Sequence, residues 1–256
     1  MVLPAPGHDD RWIRRFHSAE NDRPALLCFP HAGGSASYYF PLSEALRSEV
    51  EVLAVQYPGR QDRRRERPID SVHVLADEIL TAAAGYLDRP ITFFGHSMGA
   101  AVAFELAVRM QQRLGRTPRH LFASARRAPS CHRDEWTHLR SDADLAKELT
   151  RLGGTNTRIL DDPEVLAAFL PITRNDYKAI ETYRYQPGPP LRCGITALVG
   201  DADPHATVDE AAAWSKHTEK DFTLNVFPGG HFYLEEHRAT VLDLLAQSFA
   251  ADPAAN

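Results

Sequence analysis

Cysteine is scarce in this sequence, and the few that occur offer no pairing pattern. Cys28, Cys131 and Cys193 lie far apart, their number is odd, and no C-x-x-C spacing is present. A disulfide framework and a cysteine-based metal site are therefore excluded. Cysteines without a pairing pattern are typical of proteins in a reducing compartment, so we expect a cytoplasmic protein.

Long apolar runs and a dominant charge are also missing. No stretch approaches the ~18 apolar residues of a membrane span, and residues 1–16 lack the apolar segment of a secretory signal. The formal net charge of −5 gives no reason to expect binding to nucleic acid or to a membrane surface. Because no long exposed apolar stripe stands out, we expect a monomer.

The length and the patterning of the chain indicate a single α/β domain over residues 1–256. Short apolar runs predict strands at residues 24–29, 50–55, 91–94, 120–123, 195–199 and 222–227. Helical patterns lie between or after them, at residues 37–48, 69–87, 100–110, 207–217 and 236–249. Strands that alternate with helices are typical of a mostly parallel, doubly wound sheet.

One interval, about residues 130–190, breaks this alternation. It contains no strand signal and three helical stretches, at residues 143–152, 163–169 and 172–183. An interval of this length is too long for a loop between a strand and a helix. We interpret it as a helical lid inserted over an active site; the alternative is a set of ordinary packing helices.

The strongest chemical signal is the pentapeptide Gly-His-Ser-Met-Gly at residues 95–99, between a predicted strand and a predicted helix. The pattern G-x-S-x-G in that context is the nucleophile elbow of the α/β-hydrolase fold. A sharp turn there exposes the hydroxyl of Ser97, and glycines on both sides leave room for the strand and the helix. The sequence therefore predicts Ser97 as a nucleophile, with the Met98 amide directed at a developing oxyanion.

A serine nucleophile requires a base and an acid that orients it, in the chain order Ser, Asp or Glu, His. His231 follows a strand and two glycines near the end of the chain and is the best-placed base. Asp203 follows the strand at 195–199 and is the predicted orienting acid, with Asp201 as the alternative. We expect the other histidines near these motifs to be surface or packing residues: His96, His205, His217 and His237.

The second donor of an oxyanion hole is expected in the loop after the first predicted strand of the core. That loop contains His31, Ala32 and two glycines. We assign the backbone amide of Ala32 to this role, beside that of Met98, and keep His31 as a close alternative. No cluster of metal ligands is visible, so neither a metal nor another cofactor is expected.

Taken together, these motifs resemble the signatures of the type II thioesterases, the discrete editing enzymes of polyketide synthases and nonribosomal peptide synthetases. The resemblance covers about residues 12–249. The motifs that carry it are C-F-P-H-A-G-G-S at 28–35, Q-Y-P-G-R at 56–60, G-H-S-M-G at 95–99, L-G-G-T at 152–155, L-P-I-T-R-N-D-Y at 170–177, E-T-Y at 181–183 and G-G-H-F at 229–232.

This resemblance implies a substrate class: acyl or aminoacyl groups held as thioesters on the phosphopantetheine arm of an acyl or peptidyl carrier protein. It also implies the reaction, in which Ser97 takes the acyl group and water releases the acid, and the task of clearing misprimed or stalled carriers. A thioester is an activated acyl group, so an oxyanion hole and a general base suffice.

A basic run at residues 60–67 follows the second predicted strand. Carrier proteins are commonly acidic, so Arg63, Arg64 and Arg65 are candidates for docking the carrier; the alternative is a solvated run of charges. Two other functions remain open at this point. One is a carboxylesterase or lipase-like hydrolase of free esters, and the other is a non-catalytic α/β-hydrolase scaffold used for binding.

Overall fold

The computed structural model describes residues 11–17, 23–154 and 161–250. Within these ranges seven strands form one sheet in the order β1-β3-β2-β4-β5-β6-β7. The strands are β1 Ile13–Arg15, β2 Ala25–Phe29, β3 Glu51–Val55, β4 Ile91–His96, β5 His120–Ser124, β6 Gly194–Gly200 and β7 Phe222–Phe227. Only β1 is antiparallel to its neighbour, so the predicted mostly parallel sheet is confirmed.

The α-helices of the described ranges are α1 Phe40–Leu46, α2 Val72–Ala82, α3 Ala84–Leu87, α4 Met98–Arg109, α5 Asp142–Leu152, α6 Pro163–Glu181, α7 Val208–Ala212, α8 Tyr233–Glu236 and α9 Arg238–Ala250. They cover both faces of the sheet. Successive strand residues point to opposite sides, so each face has apolar side chains on which helices pack. On β2, Leu27 and Phe29 pack with α2 and α4, whereas Leu26 and Cys28 pack with α1 and α9. None of these helices is both long and apolar enough to cross a membrane.

Some elements differ from the sequence-based prediction. The helix predicted at residues 69–87 begins at Val72 and is divided into α2 and α3, and the helix predicted at 207–217 is α-helical only over Val208–Ala212. Strand β1 was not predicted, because three residues are too few to display a period of two. The helical stretches predicted at 163–169 and 172–183 form one helix, α6, with Pro171 inside it. Proline costs the helix one hydrogen bond. Leu170, before the proline, and Tyr177, after it, both pack on residues of α5, and these contacts stabilise the continuous helix.

The helix α6 begins at a well-formed cap. The carboxylate of Asp162 accepts hydrogen bonds from the backbone N–H groups of Glu164 and Val165, and Pro163 occupies the first turn, where its missing N–H costs nothing. Residues 155–160, which include Thr155 of the L-G-G-T motif, lie outside the described residues. The predicted insertion between β5 and β6 thus contains α5 and α6 in the part of the chain that the structure describes.

Gly99 offers a direct test of the packing between sheet and helix. A Cβ at this position would overlap the carbonyl oxygen of Phe29, so we expect Gly99→Ala to lower the free energy of unfolding by about 3 kcal/mol. Gly115→Ala is the matched control, because Gly115 has a positive φ of 67° but no atom near its missing side chain. We expect it to cost about 1 kcal/mol, from backbone strain alone. Urea denaturation measures both; equal losses would contradict the close approach at Gly99.

Candidate active site

Ser97 lies at the turn between β4, which ends at His96, and α4, which begins at Met98. Its backbone has a φ of 55° and a ψ of −118°, a conformation that residues other than glycine rarely adopt. The Ser97 N–H is satisfied by the carbonyl of Ser124, at 2.8 Å, which ties the turn to β5. A Cβ at Gly95 would overlap the carbonyl of Gly99. The turn therefore has the geometry of a nucleophile elbow.

A chain of hydrogen bonds joins Ser97 to the two other predicted residues. The Oγ of Ser97 lies 2.9 Å from Nε2 of His231, and Nδ1 of His231 lies 2.9 Å from each carboxylate oxygen of Asp203. Asp203 and His231 are 6% and 4% exposed, so this chain is largely shielded from water. Burial lowers the pKa of His231, and the hydrogen bond and charge of Asp203 oppose that shift. The imidazole is therefore held in its neutral form at neutral pH.

The two candidate acids after β6 have different surroundings. Asp203 faces His231 and also accepts a hydrogen bond of 2.8 Å from the His205 N–H. Asp201 is exposed and accepts a hydrogen bond of 2.9 Å from the N–H of Gly229, so it fastens the turn after β6 to the loop that carries His231. A Cβ at Gly200 would overlap the carbonyl of Gly230, which explains the glycine before the two acids.

The predicted oxyanion residues lie on the same side of the site. Ala32 and Ser97 line one cavity, and the Met98 N–H is the first of α4, where backbone donors have no acceptor within the helix. The loop of Ala32 is closed by a hydrogen bond of 2.9 Å from the Gly34 N–H to the His31 carbonyl. Burial, followed by the charges of His231 and Arg60, lowers the pKa of His31 to about 3. His31 is thus neutral and packs against aromatic rings.

One pair of residues that fixes this loop was not assigned any role from the sequence. Arg60 and Asp176 form a buried bidentate ion pair with distances of 2.8 and 2.9 Å. Arg60 also donates to the Gly34 carbonyl at 2.8 Å, and Asp176 accepts from the Gly33 N–H at 2.8 Å. Both residues belong to motifs of the sequence resemblance, but the motifs are 116 residues apart, so their contact becomes visible only in the fold.

The cavity at Ser97 has a volume of about 40 Å³. Helix α5 contributes Leu149 and Leu152 to its wall, and α6 contributes Tyr177 and Ile180. The helices of the predicted insertion therefore form part of the wall of the cavity that contains Ser97. Charged groups also line the cavity, and they are Arg126, Glu135, Glu181 and His205.

The remaining histidines contact neighbouring groups, although Nε2 of His96 is buried without a hydrogen-bond partner among the described residues. His96 is fully buried, its Nδ1 lies 2.9 Å from the Ser124 hydroxyl, and its ring packs near His231. His217 contacts the hydroxyl of Ser130 at 2.9 Å, and His237 contacts the Pro228 carbonyl at 2.9 Å. His205 is closer to the site than expected, because its ring centroid lies 5.3 Å from that of His231.

His205 also joins the site to the covering helices. Its Nε2 lies 3.2 Å from a carboxylate oxygen of Glu148 on α5, and its Nδ1 lies 3.5 Å from Glu135. These two acids outweigh burial and raise the pKa of His205. The expectation that His205 is a plain surface or core histidine is therefore incomplete, since it connects the loop of Asp203 with α5.

The three arginines predicted for docking do not share one environment. Arg63 is 4% exposed, its guanidinium pairs with Glu66 at 2.6 Å, and it stacks over Trp12 with 4.2 Å to the ring centroid. Burial contradicts a docking role for Arg63. Arg64 and Arg65 are exposed and remain available to a partner. Within the described ranges, no group of three or more His, Cys, Asp or Glu side chains is arranged to hold a metal ion.

Known proteins are similar to this chain in both sequence and fold. The family model for the thioesterase domain matches residues 24–249. The chain is 49% identical over 245 residues to the probable cadicidin biosynthesis thioesterase of Streptomyces griseus, which covers 96% of this chain and 68% of that protein. It is 49% identical over 226 residues to the thioesterase PikA5 of Streptomyces venezuelae, which covers 88% of this chain and 80% of that protein.

Among solved structures, the type II thioesterase BorB from the borrelidin biosynthetic cluster matches with a TM-score of 0.89 and 48% identity, over 95% of this chain and 100% of that chain. YbtT, a type II thioesterase from the yersiniabactin pathway, matches with a TM-score of 0.82 at 30% identity, over 95% of this chain and 99% of that chain. The chain therefore belongs to the thioesterase-domain family and, within it, to the type II thioesterases of polyketide and nonribosomal peptide biosynthesis.

Proposed function

We propose that this thioesterase releases acyl or aminoacyl groups from the phosphopantetheine arm of a carrier protein, with Ser97 as nucleophile, His231 as base and Asp203 as orienting acid. The observation that carries the proposal is the chain of 2.9 Å contacts from the Ser97 hydroxyl through His231 to Asp203. In this arrangement the imidazole can accept the proton of the hydroxyl, which makes the Ser97 oxygen a nucleophile.

In the first half of the reaction, the Asp203 carboxylate holds a proton on Nδ1 of His231, which leaves Nε2 free to accept the Ser97 proton. The Ser97 oxygen attacks the thioester carbon, and the N–H groups of Ala32 and Met98 donate to the oxyanion that develops. The carbon–sulfur bond then breaks, and the protonated His231 returns its proton to the departing thiolate.

In the second half, water takes the place of the thiol. His231 accepts a proton from the water as it attacks the serine ester, the same two N–H groups support the second tetrahedral intermediate, and His231 then protonates Ser97 as the acid leaves. Because the pKa of His231 is lowered, its neutral form is present at neutral pH for both steps. Activity is expected to decline as the pH falls through that lowered pKa.

The proposal also includes the domain organisation, the oligomeric state and the location of the protein. We take residues 1–256 as one α/β-hydrolase domain in which about residues 130–190 form the helical lid; the presence of α5 and α6 in the wall of the cavity at Ser97 supports this. We also take the protein to be a monomer that acts in the cytoplasm; the three unpaired cysteines, two of them buried, support the reducing compartment.

The test compares one acyl group in three substrates. Wild-type protein is given propionyl groups on a carrier protein, and separately as a propionyl-pantetheine thioester and as an aryl propionate. We expect kcat/KM to be highest for the loaded carrier. Good turnover of the aryl ester with an intact loaded carrier would instead support a hydrolase of free esters, and no turnover of any substrate would support a binding scaffold.

The same assay tests the docking surface, now reduced to Arg64 and Arg65. We expect Arg64→Glu with Arg65→Glu to raise KM for the propionyl carrier about tenfold, because two attractive charges become repulsive toward an acidic partner. KM for propionyl-pantetheine should change less than twofold. Arg64→Gln with Arg65→Gln, which removes charge without reversing it, should fall between. An equal loss on both substrates would contradict a docking role.

A further inference from the structure

Two cavities have a lining residue in common, and they differ in size and in the rest of their lining. The cavity at Ser97, here called the acyl cavity, has a volume of about 40 Å³. Since one water-sized sphere occupies roughly 10–15 Å³ on this measure, the acyl cavity holds only about three such spheres. It therefore matches an acyl chain of a few carbon atoms.

The second cavity has a volume of about 220 Å³. It is here called the aromatic cavity, because Tyr183, Tyr185 and Trp214 line it. The charged or titratable residues of its wall are Arg126, Arg127, His132 and Arg184. Trp214 is fully buried and fixed by a hydrogen bond of 2.8 Å from its indole N–H to the Arg126 carbonyl. The aromatic cavity is large enough for a long alkyl chain, but no part of the mechanism uses it.

Arg126 lies between the two cavities. Among the described residues, it alone lines both of them. Its charge interacts with Asp203, beside the acyl cavity, and with Tyr183, in the aromatic cavity. Arg126 is therefore the part of the wall that the two cavities share.

Directed bonds do not fix the side chain of Arg126. Within the described residues, its guanidinium makes no ion pair and no side-chain hydrogen bond. The neighbouring Arg127 behaves differently, since it pairs with Glu135 at 2.5 Å and donates to the His205 carbonyl at 3.0 Å. Arg127 supports the fold, whereas Arg126 fills space between two cavities.

We propose that Arg126 is a specificity-determining partition, which closes the acyl cavity against the aromatic cavity and so restricts the acyl group on Ser97 to short chains. This inference rests on the proposed function. The partition acts through volume, because an alkyl chain that extends past the acyl cavity meets the guanidinium and its stem. Removing that side chain joins the cavities and opens an apolar, aromatic wall to longer chains.

The first test measures kcat/KM for propionyl-, hexanoyl- and decanoyl-pantetheine, which avoid any effect of carrier docking. For Arg126→Ala we expect the ratio of decanoyl to propionyl activity to rise at least about tenfold over wild type, since several methylene groups gain an apolar site. Arg126→Met, which is long but uncharged, should stay within about threefold of the wild-type ratio. An unchanged ratio in Arg126→Ala, or an equal rise in Arg126→Met, would overturn the partition by volume.

The second test does not require turnover of a thioester. Cys131 lines the aromatic cavity and is partly exposed, whereas Cys28 and Cys193 are buried. A decyl fluorophosphonate is attached to Ser97, and the rate at which a maleimide labels Cys131 is followed. In Arg126→Ala the decyl chain should slow labelling at least about fivefold relative to an ethyl fluorophosphonate, and in wild type the two should be equal. Equal rates in Arg126→Ala would contradict the proposal.

These readouts separate the partition from the proposed function. If wild type hydrolyses none of the thioesters but Cys131 is protected only in Arg126→Ala, the proposed function fails and the partition stands. If thioesters are hydrolysed and the ratio and the labelling do not move, the partition fails alone. Should Arg126→Ala not fold, as judged by its melting curve and by labelling of Ser97, the shorter Arg126→Gln replaces it and should shift the preference to hexanoyl; an unshifted preference would overturn the partition.

Discussion

Ser97→Ala is expected to lower kcat for an acyl-carrier thioester by about ten-thousand-fold or more. The hydroxyl is the only atom in the proposed site that bonds to the acyl group, so its removal leaves His231 and Asp203 without a function. KM should change much less, because the substrate contacts remain. Acid release from a propionyl-loaded carrier, followed by chromatography, measures the effect.

The control for this variant is Ser124→Ala. Ser124 is also a buried serine, and its hydroxyl contacts His96 at 2.9 Å and Tyr233 at 2.7 Å, behind the elbow. Its loss should lower the melting temperature and leave kcat within about fivefold of wild type. If Ser97→Ala retained a tenth of the wild-type rate, the nucleophile would have to be sought elsewhere.

The second large effect distinguishes the two acids that follow β6. We expect Asp203→Asn to lower kcat by about a thousand- to ten-thousand-fold, because an amide at this position favours the wrong tautomer of His231 and does not stabilise its protonated form. Asp201→Asn preserves an acceptor for the Gly229 N–H, and kcat should stay within about threefold of wild type.

The two asparagine variants form a matched pair, since each neutralises one carboxylate in the same turn. Their kcat values and melting temperatures are measured side by side. A large loss in Asp201→Asn together with a small loss in Asp203→Asn would reverse the assignment and make Asp201 the orienting acid. Similar losses in both, accompanied by lower melting temperatures, would mean that the turn itself is damaged.

The residues that the structure brings together at Ser97 could be found from the sequence because each sits at the end of a strand. Ser97 follows β4, Asp203 follows β6 and His231 follows β7. The carboxyl ends of parallel strands meet at one edge of the sheet, so local patterns around three strand ends suffice to predict one site. The same logic applies to Ala32, which follows β2.

Other features depend on contacts that no local pattern encodes. The run of arginines after β3 does not reveal that Arg63 turns inward, because its partner Trp12 lies in the segment before β1. The ion pair of Arg60 with Asp176 joins the loop of Ala32 to α6, and it can be recognised only when α6 is packed on the site. Arg126 carries no motif chemistry of its own. Its position becomes informative only when the volumes on both sides of it are known.

The whole mechanism depends on one intermediate, an ester between the acyl group and Ser97. The most direct test is rapid-quench mass spectrometry of the wild-type protein mixed with a propionyl-loaded carrier in water labelled with oxygen-18. We predict a transient propionyl adduct on the peptide that contains Ser97, together with propionate that carries one labelled oxygen. Release of propionate with no adduct on that peptide at any time, or an adduct on another residue, would contradict the mechanism.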